Sequence, residues 1–268
     1  MNKGTNSHIK GQTKSIVDTI TQRFDGWNTD TERLVLYADF MGFKERVIKT
    51  PHYELKRQMK DFRRTWERQM TPLIMSDNLR FAQFSDSILI VANGTSWKMF
   101  NLITKAAARL MHVALSKGFA LKGVLAEGIF TYGEKSELYF GRPLVDAYLL
   151  HEQIKYYGVV VHHTAEKVVK KFADVNDNPY TNSQIMLEKG LTGHYHLCWN
   201  MIDAKLEAID CTEDCMKLLD KIAETVSGKP RIYIDNTKKV LEADQKEVNE
   251  QKNKIGTDSS ESIIGKAS

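Results

Sequence analysis

The chain has 268 residues, 42% of them apolar and 27% charged, with a formal charge of +4. That length supports one sizeable core and a small appendage, and the composition excludes a disordered or fibrous chain. No stretch approaches the roughly 18 to 20 apolar residues of a membrane span, the N-terminus lacks the apolar core of a secretory signal, and so small a charge surplus is no mark of a nucleic-acid binder.

The expectation is therefore a cytoplasmic protein with neither a membrane nor a nucleic acid as partner. Residues 1–30 read as an N-terminal segment with a short amphipathic helix, Ser15 to Phe24, in which Ile16, Ile20 and Phe24 share a face. Arg33 to Asp39 reads as the first strand, closed by an acid and the turn Phe40-Met41-Gly42-Phe43. Val47, Ile48, Leu55, Met59, Phe62 and Trp66 then recur at helical steps, with a break at Pro51 and an end at Pro72. Residues 44–80 hold ten Lys/Arg against five acids, a face that either steers a polyanion or is merely solvated.

Leu79–Phe84 and Ser87–Ala92 read as a hairpin with Asp86 in its turn. Thr95 or Ser96 can cap a helix whose stripe is Phe100, Ile103, Ala107, Leu110 and Ala114, and Gly118 stops it. Leu121 to Glu127 is a strand, Glu137 to Phe140 a returning hairpin arm, and Gly141-Arg142-Pro143 opens a helix with Ala147, Leu150 and Ile154 inward. A strand (Gly158 to His162), a helix (Thr164 to Phe172), two strands (Ile185 to Glu188, His194 to Trp199) and a helix (Thr212 to Val226) follow. After Asp235 the chain is charged and poor in aromatics, so 236–268 reads as a mobile tail or a partner-dependent helix.

Three cysteines, Cys198, Cys211 and Cys215, make no even framework and fit a reducing compartment. Cys211 and Cys215 lie downstream of His194 and His196, but C-x3-C on a helix only puts two thiols on one face, which is a poor zinc signal. The order β-α-β-β-α-β is that of an α+β, ferredoxin-like core, here extended by an α-β unit and a C-terminal hairpin. Helices are expected on one face of its sheet, leaving the other to be buried against an identical subunit.

Asp39 and Asp86 stand out because each sits at the end or turn of an apolar strand, where a carboxylate has no packing role. An aspartate after a strand is also an ordinary turn former. Two carboxylates from adjacent strands can hold divalent cations, however, and such cations serve phosphoryl transfer on a nucleoside triphosphate.

The segments Val35-Leu36-Tyr37-Ala38-Asp39-Phe40-Met41-Gly42-Phe43, Phe84-Ser85-Asp86-Ser87-Ile88 and Leu121-Lys122-Gly123-Val124-Leu125-Ala126-Glu127-Gly128 resemble, in order and spacing, motifs of the class III nucleotidyl cyclases. Tyr139-Phe140-Gly141 with the helix from Pro143 to Glu152, and Cys198-Trp199-Asn200, look closest to the pyrimidine cyclases of bacterial Pycsar antiphage systems. The resemblance covers about residues 31 to 202, within a cyclase domain expected over 31–235. It implies two Mg2+ or Mn2+ ions on Asp39, Asp86 and the Phe40 carbonyl, with backbone amides of Met41, Gly42 and Phe43 cradling phosphate. It also implies a homodimer with active sites at its interface, cyclic UMP more than cyclic CMP as product, and a separate effector reading that signal.

This sequence departs from the purine-cyclase pattern. Ala82 and Leu138 stand where base-reading polar residues are usual, and Val145 and Leu149, or Asp146 and Leu150, where an Asn and an Arg are usual. Lys122, Arg142 and Lys189 are candidate replacements for the missing cation, and Arg80, Gln83 and Tyr37 for the base-reading groups. An adenylate or guanylate cyclase, a catalytically silent binding module and a palm-type polymerase stay open as alternatives. The last lacks its usual pair of adjacent acids.

Overall fold

Thr31–Phe40 forms β1, the strand around which the fold is organised. The structure is a computed structural model that describes residues 27, 30–74, 77–133, 138–172, 179–202, 207 and 209–264. After β1 come α1 (Phe43–Lys49), α2 (His52–Ile74), β2 (Leu79–Phe84), β3 (Ser87–Ala92), α3 (Trp97–Ser116), β4 (Leu121–Gly133), β5 (Leu138–Gly141) and α4 (Arg142–Gln153). The second part holds β6 (Val159–Val161), α5 (His163–Phe172), β7 (Tyr180–Leu187), β8 (Gly190–Leu197), a 3-10 turn (Trp199–Met201), α6 (Thr212–Ala223) and α7 (Lys229–Ile264).

The strands form one sheet in the order β2-β3-β1-β4-β6-β8-β7, with β5 alongside the far end of β4. The first four positions are those of the expected ferredoxin-like βαββαβ core, all antiparallel. β6 adds in parallel to β4, and the β7–β8 hairpin completes the extension.

Alternation along β1 divides the molecule. Leu34, Leu36, Ala38 and Phe40 enter a core with Phe62, Trp66 and Met70 of α2 and the whole expected stripe of α3, from Phe100 to Ala114. Ser96 caps α3, its hydroxyl accepting from the Met99 amide at 3.4 Å. A helix and a strand each bury one face this way because apolar residues recur at their own periods of 3.6 and 2.

Four expectations change. The second face of the sheet is not left to a partner, since α4 lies on it: Ala147 and Leu150 pack with Val124 and Ala126 of β4. α2 continues to Ile74 rather than ending at Pro72; within its last turn a proline removes a single hydrogen bond from an end that frays anyway. β4, β7 and β8 are longer than their apolar runs because ladder pairing carries polar residues along. The boundary at residue 235 falls inside α7, where Ile234, Thr237, Leu241 and Asp244 are all buried.

The segment expected to form an N-terminal helix, Ser15 to Phe24, lies outside the described residues, as does Glu137. Among the described residues, no helix is long and apolar enough to cross a membrane.

Candidate active site

Asp39 is the penultimate residue of β1, on the face opposite Phe40. The ladder places it against Ser87 of β3 on one side and Lys122 of β4 on the other. Asp86 precedes Ser87 in the tight β2–β3 turn, which Ser85 enters with φ +54°. The Phe40 amide donates to the Asp86 carbonyl at 3.1 Å and ties the two acids' backbones together. Both carboxylates therefore reach one corner of the sheet through pairing register alone.

Ser87 Oγ donates to Asp39 Oδ1 at 3.0 Å. With its single hydrogen so used, Ser87 accepts from Tyr37 Oη at 3.1 Å. The Tyr37 ring is edge-on to His151 and Tyr148 of α4, so α4 indirectly fixes the Asp39 rotamer.

Burial, with Asp86 as the second cause, raises the Asp39 carboxyl from 3.8 to about 6. Lys122, buried against the foot of α4, donates to the carbonyls of His151 (3.1 Å) and Ile154 (3.2 Å), and burial lowers its ammonium to about 8. Burial also holds His151 neutral, at about 3, so its 3.5 Å approach to Glu152 is no ion pair. An acid raised by a neighbouring acid marks a surplus of negative charge that a divalent cation would relieve. The donor set, two carboxylate groups with carbonyls close by, suits Mg2+ or Mn2+.

The remaining expected residues scatter. The Met41 amide is spent on the Ala120 carbonyl at 2.8 Å, which removes it from any phosphate cradle. Gly42, at φ +70°, begins α1 in the left-handed region and leaves the first amides of α1 without intrahelical acceptors.

Arg80 pairs with Asp77 and lies over the Trp27 ring. It sits beside Val91, and so beside Val35, four residues or about 13 Å along the sheet from Asp39. Lys189 is exposed in the β7–β8 turn, four strand spacings or roughly 19 Å from β1. Arg142 is exposed and bound to Asp146 at 3.3 Å. It lies nine residues before His151, about 14 Å along α4 from the end that holds Lys122. Of these candidate cations, then, Lys122 alone stands beside the acids within one chain.

Sequence reasoning passed over Ser87 and His151. The register opposite Asp39 would have found the first, and a polar residue on the inner stripe of α4 the second. Among the described residues, a three-residue group that could hold a metal, His196, Cys198 and Asp244, lies elsewhere, between β8 and α7.

No family model and no curated protein sequence matches the chain. Among solved structures it is similar to the catalytic core of a rhodopsin-guanylyl cyclase with converted specificity, in complex with ATPalphaS. That likeness has 10% identity and a TM-score of 0.49 over 63% of this chain and 96% of that one. It is also similar to the adenylyl cyclase CyaB from P. aeruginosa, at 12% identity and a TM-score of 0.43 over 63% and 94%. A third is the guanylate cyclase domain of RhGC from Catenaria anguillulae in complex with GTP, at 11% identity and a TM-score of 0.42 over 62% and 95%. The ferredoxin-like assignment rests on the strand order itself.

Proposed function

We propose that this chain is a metal-dependent nucleotidyl cyclase that converts a pyrimidine nucleoside triphosphate, UTP in preference to CTP, into the 3′,5′-cyclic monophosphate and pyrophosphate. The observation that carries the reading is the meeting of Asp39, near the end of β1, and Asp86, in the β2–β3 turn, at one corner of the sheet. Bound divalent cations would supply charge neutralisation to the triphosphate and acidify the ribose 3′-hydroxyl.

Asp39 and Asp86 would hold those ions, with Ser87 fixing the Asp39 rotamer and Lys122 limiting the negative surplus. The turn at Gly42 brings backbone close to the phosphates. In the reaction the 3′-oxygen bonds to the α-phosphorus, the bond from that phosphorus to the bridging oxygen breaks, and pyrophosphate departs with the electron pair. The hydroxyl proton passes to water.

A homodimer would complete the site. Val145, Tyr148 and Leu149 expose an apolar stripe on the outer face of α4, and Phe84, 86% exposed, adjoins the Asp86 turn. An arrangement in which one subunit lends its acids and the other the start of its α4 would bring in Arg142, which its own chain holds away from Asp39. The role as a second messenger in antiphage defence, heard by a separate effector, rests on the sequence resemblance.

Half-buried Ala82 and exposed Leu138 offer no donor or acceptor for a purine edge. We therefore expect UTP or CTP to be turned over at least about a hundredfold better than ATP or GTP, a gap of about 2.7 kcal/mol in transition-state binding. Incubating the purified chain with each triphosphate and Mn2+, and weighing the products by mass spectrometry, tests this. Equal turnover of ATP would return the chain to the purine cyclases, and no cyclic product from any of the four would favour a silent binding module.

A further inference from the structure

Away from the acid corner, β8 and α7 enclose a second cluster of metal-capable groups. His196 and Cys198 come from β8 and the residue just after it, Asp244 from the fifth turn of α7, and all three side chains are buried to within 2%. Their donor atoms lie within 4.8 Å of one another. His196 Nε2 and Asp244 Oδ1 are 2.7 Å apart.

Two further buried oxygens lie in this region, and the Cys198 thiol itself interacts with the Asp244 carboxylate. Asp244 Oδ2 has no hydrogen-bond partner, and neither has the hydroxyl of Tyr156, whose ring stands edge-on to the His196 imidazole at 6.4 Å. Tyr156 is itself fully buried. A carboxylate oxygen left unpaired in the interior costs free energy that a cation would recover.

We propose that His196, Cys198 and Asp244 form a structural zinc site that clamps α7 to the end of β8. One thiolate, one imidazole and one carboxylate suit a borderline-soft ion such as Zn2+ better than Mg2+ or Mn2+. Tetrahedral zinc with these ligands spaces its donor atoms about 3.3 to 3.6 Å apart. The His196–Asp244 pair has only to open by less than about 1 Å, exchanging a shared proton for the ion. A water completes the tetrahedron. Burial of all three ligands leaves no substrate access, so the ion has a structural role and is independent of the proposed active site.

Zinc content of the full chain, purified without chelator, is the first measurement, with about one zinc per chain expected. The second uses chain stripped of metal and titrated with Co2+, which on a thiolate ligand gives a sulfur-to-metal charge-transfer band. Cys198→Ser and Asp244→Asn should weaken or abolish that band, whereas the double variant Asp39→Ala, Asp86→Ala should keep it. Wild-type chain with neither zinc nor a cobalt band overturns the proposal, and this arm stands even if Cys198→Ser fails to fold. A band that survives in folded Cys198→Ser, or vanishes in the Asp39, Asp86 double variant, overturns it as well.

Discussion

Replacing Asp39 by Asn should stabilise the chain when no divalent ion is added at the acid corner, and do so only above the acid range. The folded carboxyl is raised to about 6 from the ordinary 3.8 of an aspartate, mainly by burial and then by Asp86. Below 3.8 both folded and unfolded chains carry the proton and nothing is lost. As pH rises, the unfolded chain ionises first, so stability falls across the window from 3.8 to 6 and is level above it. Two pH units correspond to an upper bound of about 3 kcal/mol, and the partial exposure of Asp39 screens this to about 1 to 1.5 kcal/mol.

Asn has the same shape and still accepts from Ser87, but carries no charge. Its advantage over Asp should therefore grow by about 1 to 4 °C in Tm between pH 4.5 and pH 8 for a chain of this size. Thermal unfolding of both proteins at the two pH values measures it. Added Mn2+ should raise the Tm of the wild type at pH 8 and leave Asp39→Asn unmoved. A pH-independent difference, or a variant less stable at pH 8, would refute the assignment of Asp39 to an acid pair awaiting a cation.

Asp39→Ala and Asp86→Ala should each fold and lose turnover; a variant keeping more than about a tenth of wild-type product formation, a loss under 1.4 kcal/mol, would remove that acid from the site. Arg142→Ala should be inactive alone, yet an equal mixture with Asp39→Ala should recover about a quarter of wild-type turnover through one intact composite site in each mixed dimer. No recovery from subunits shown to exchange would end the composite-site reading. Gly141→Ala should cost about 2 kcal/mol or more in denaturant unfolding, because φ is +155° there and an added Cβ would lie 2.5 Å from the Ile129 carbonyl oxygen. A stable variant would mean that the β5–α4 connection can move.

Much of the chain was legible locally. The hairpin Leu79–Phe84 with Ser87–Ala92, the break at Pro51, the Ser96 cap and the inward stripe Ala147, Leu150, Ile154 follow from residues within one or two turns of each other. Asp39 and Asp86 were visible too, since a charge inside an apolar run has no local partner to explain it.

What only the tertiary structure decided are the places where a polar group is buried beside something distant. α7 reads as a tail because its buried positions include Asn236, Thr237 and Asp244, yet these meet the Lys155 carbonyl at 2.9 Å, the Tyr157 amide at 2.8 Å and His196. Those partners lie 48 to 81 residues away, beyond any local window. Lys122 likewise differs from Arg80, Arg142 and Lys189 only because the β1–β4 register and the foot of α4 bring it to Asp39. Apolar periodicity is a property of the segment that carries it. Satisfaction of a buried polar group belongs to the pair, and only the fold brings the pair together.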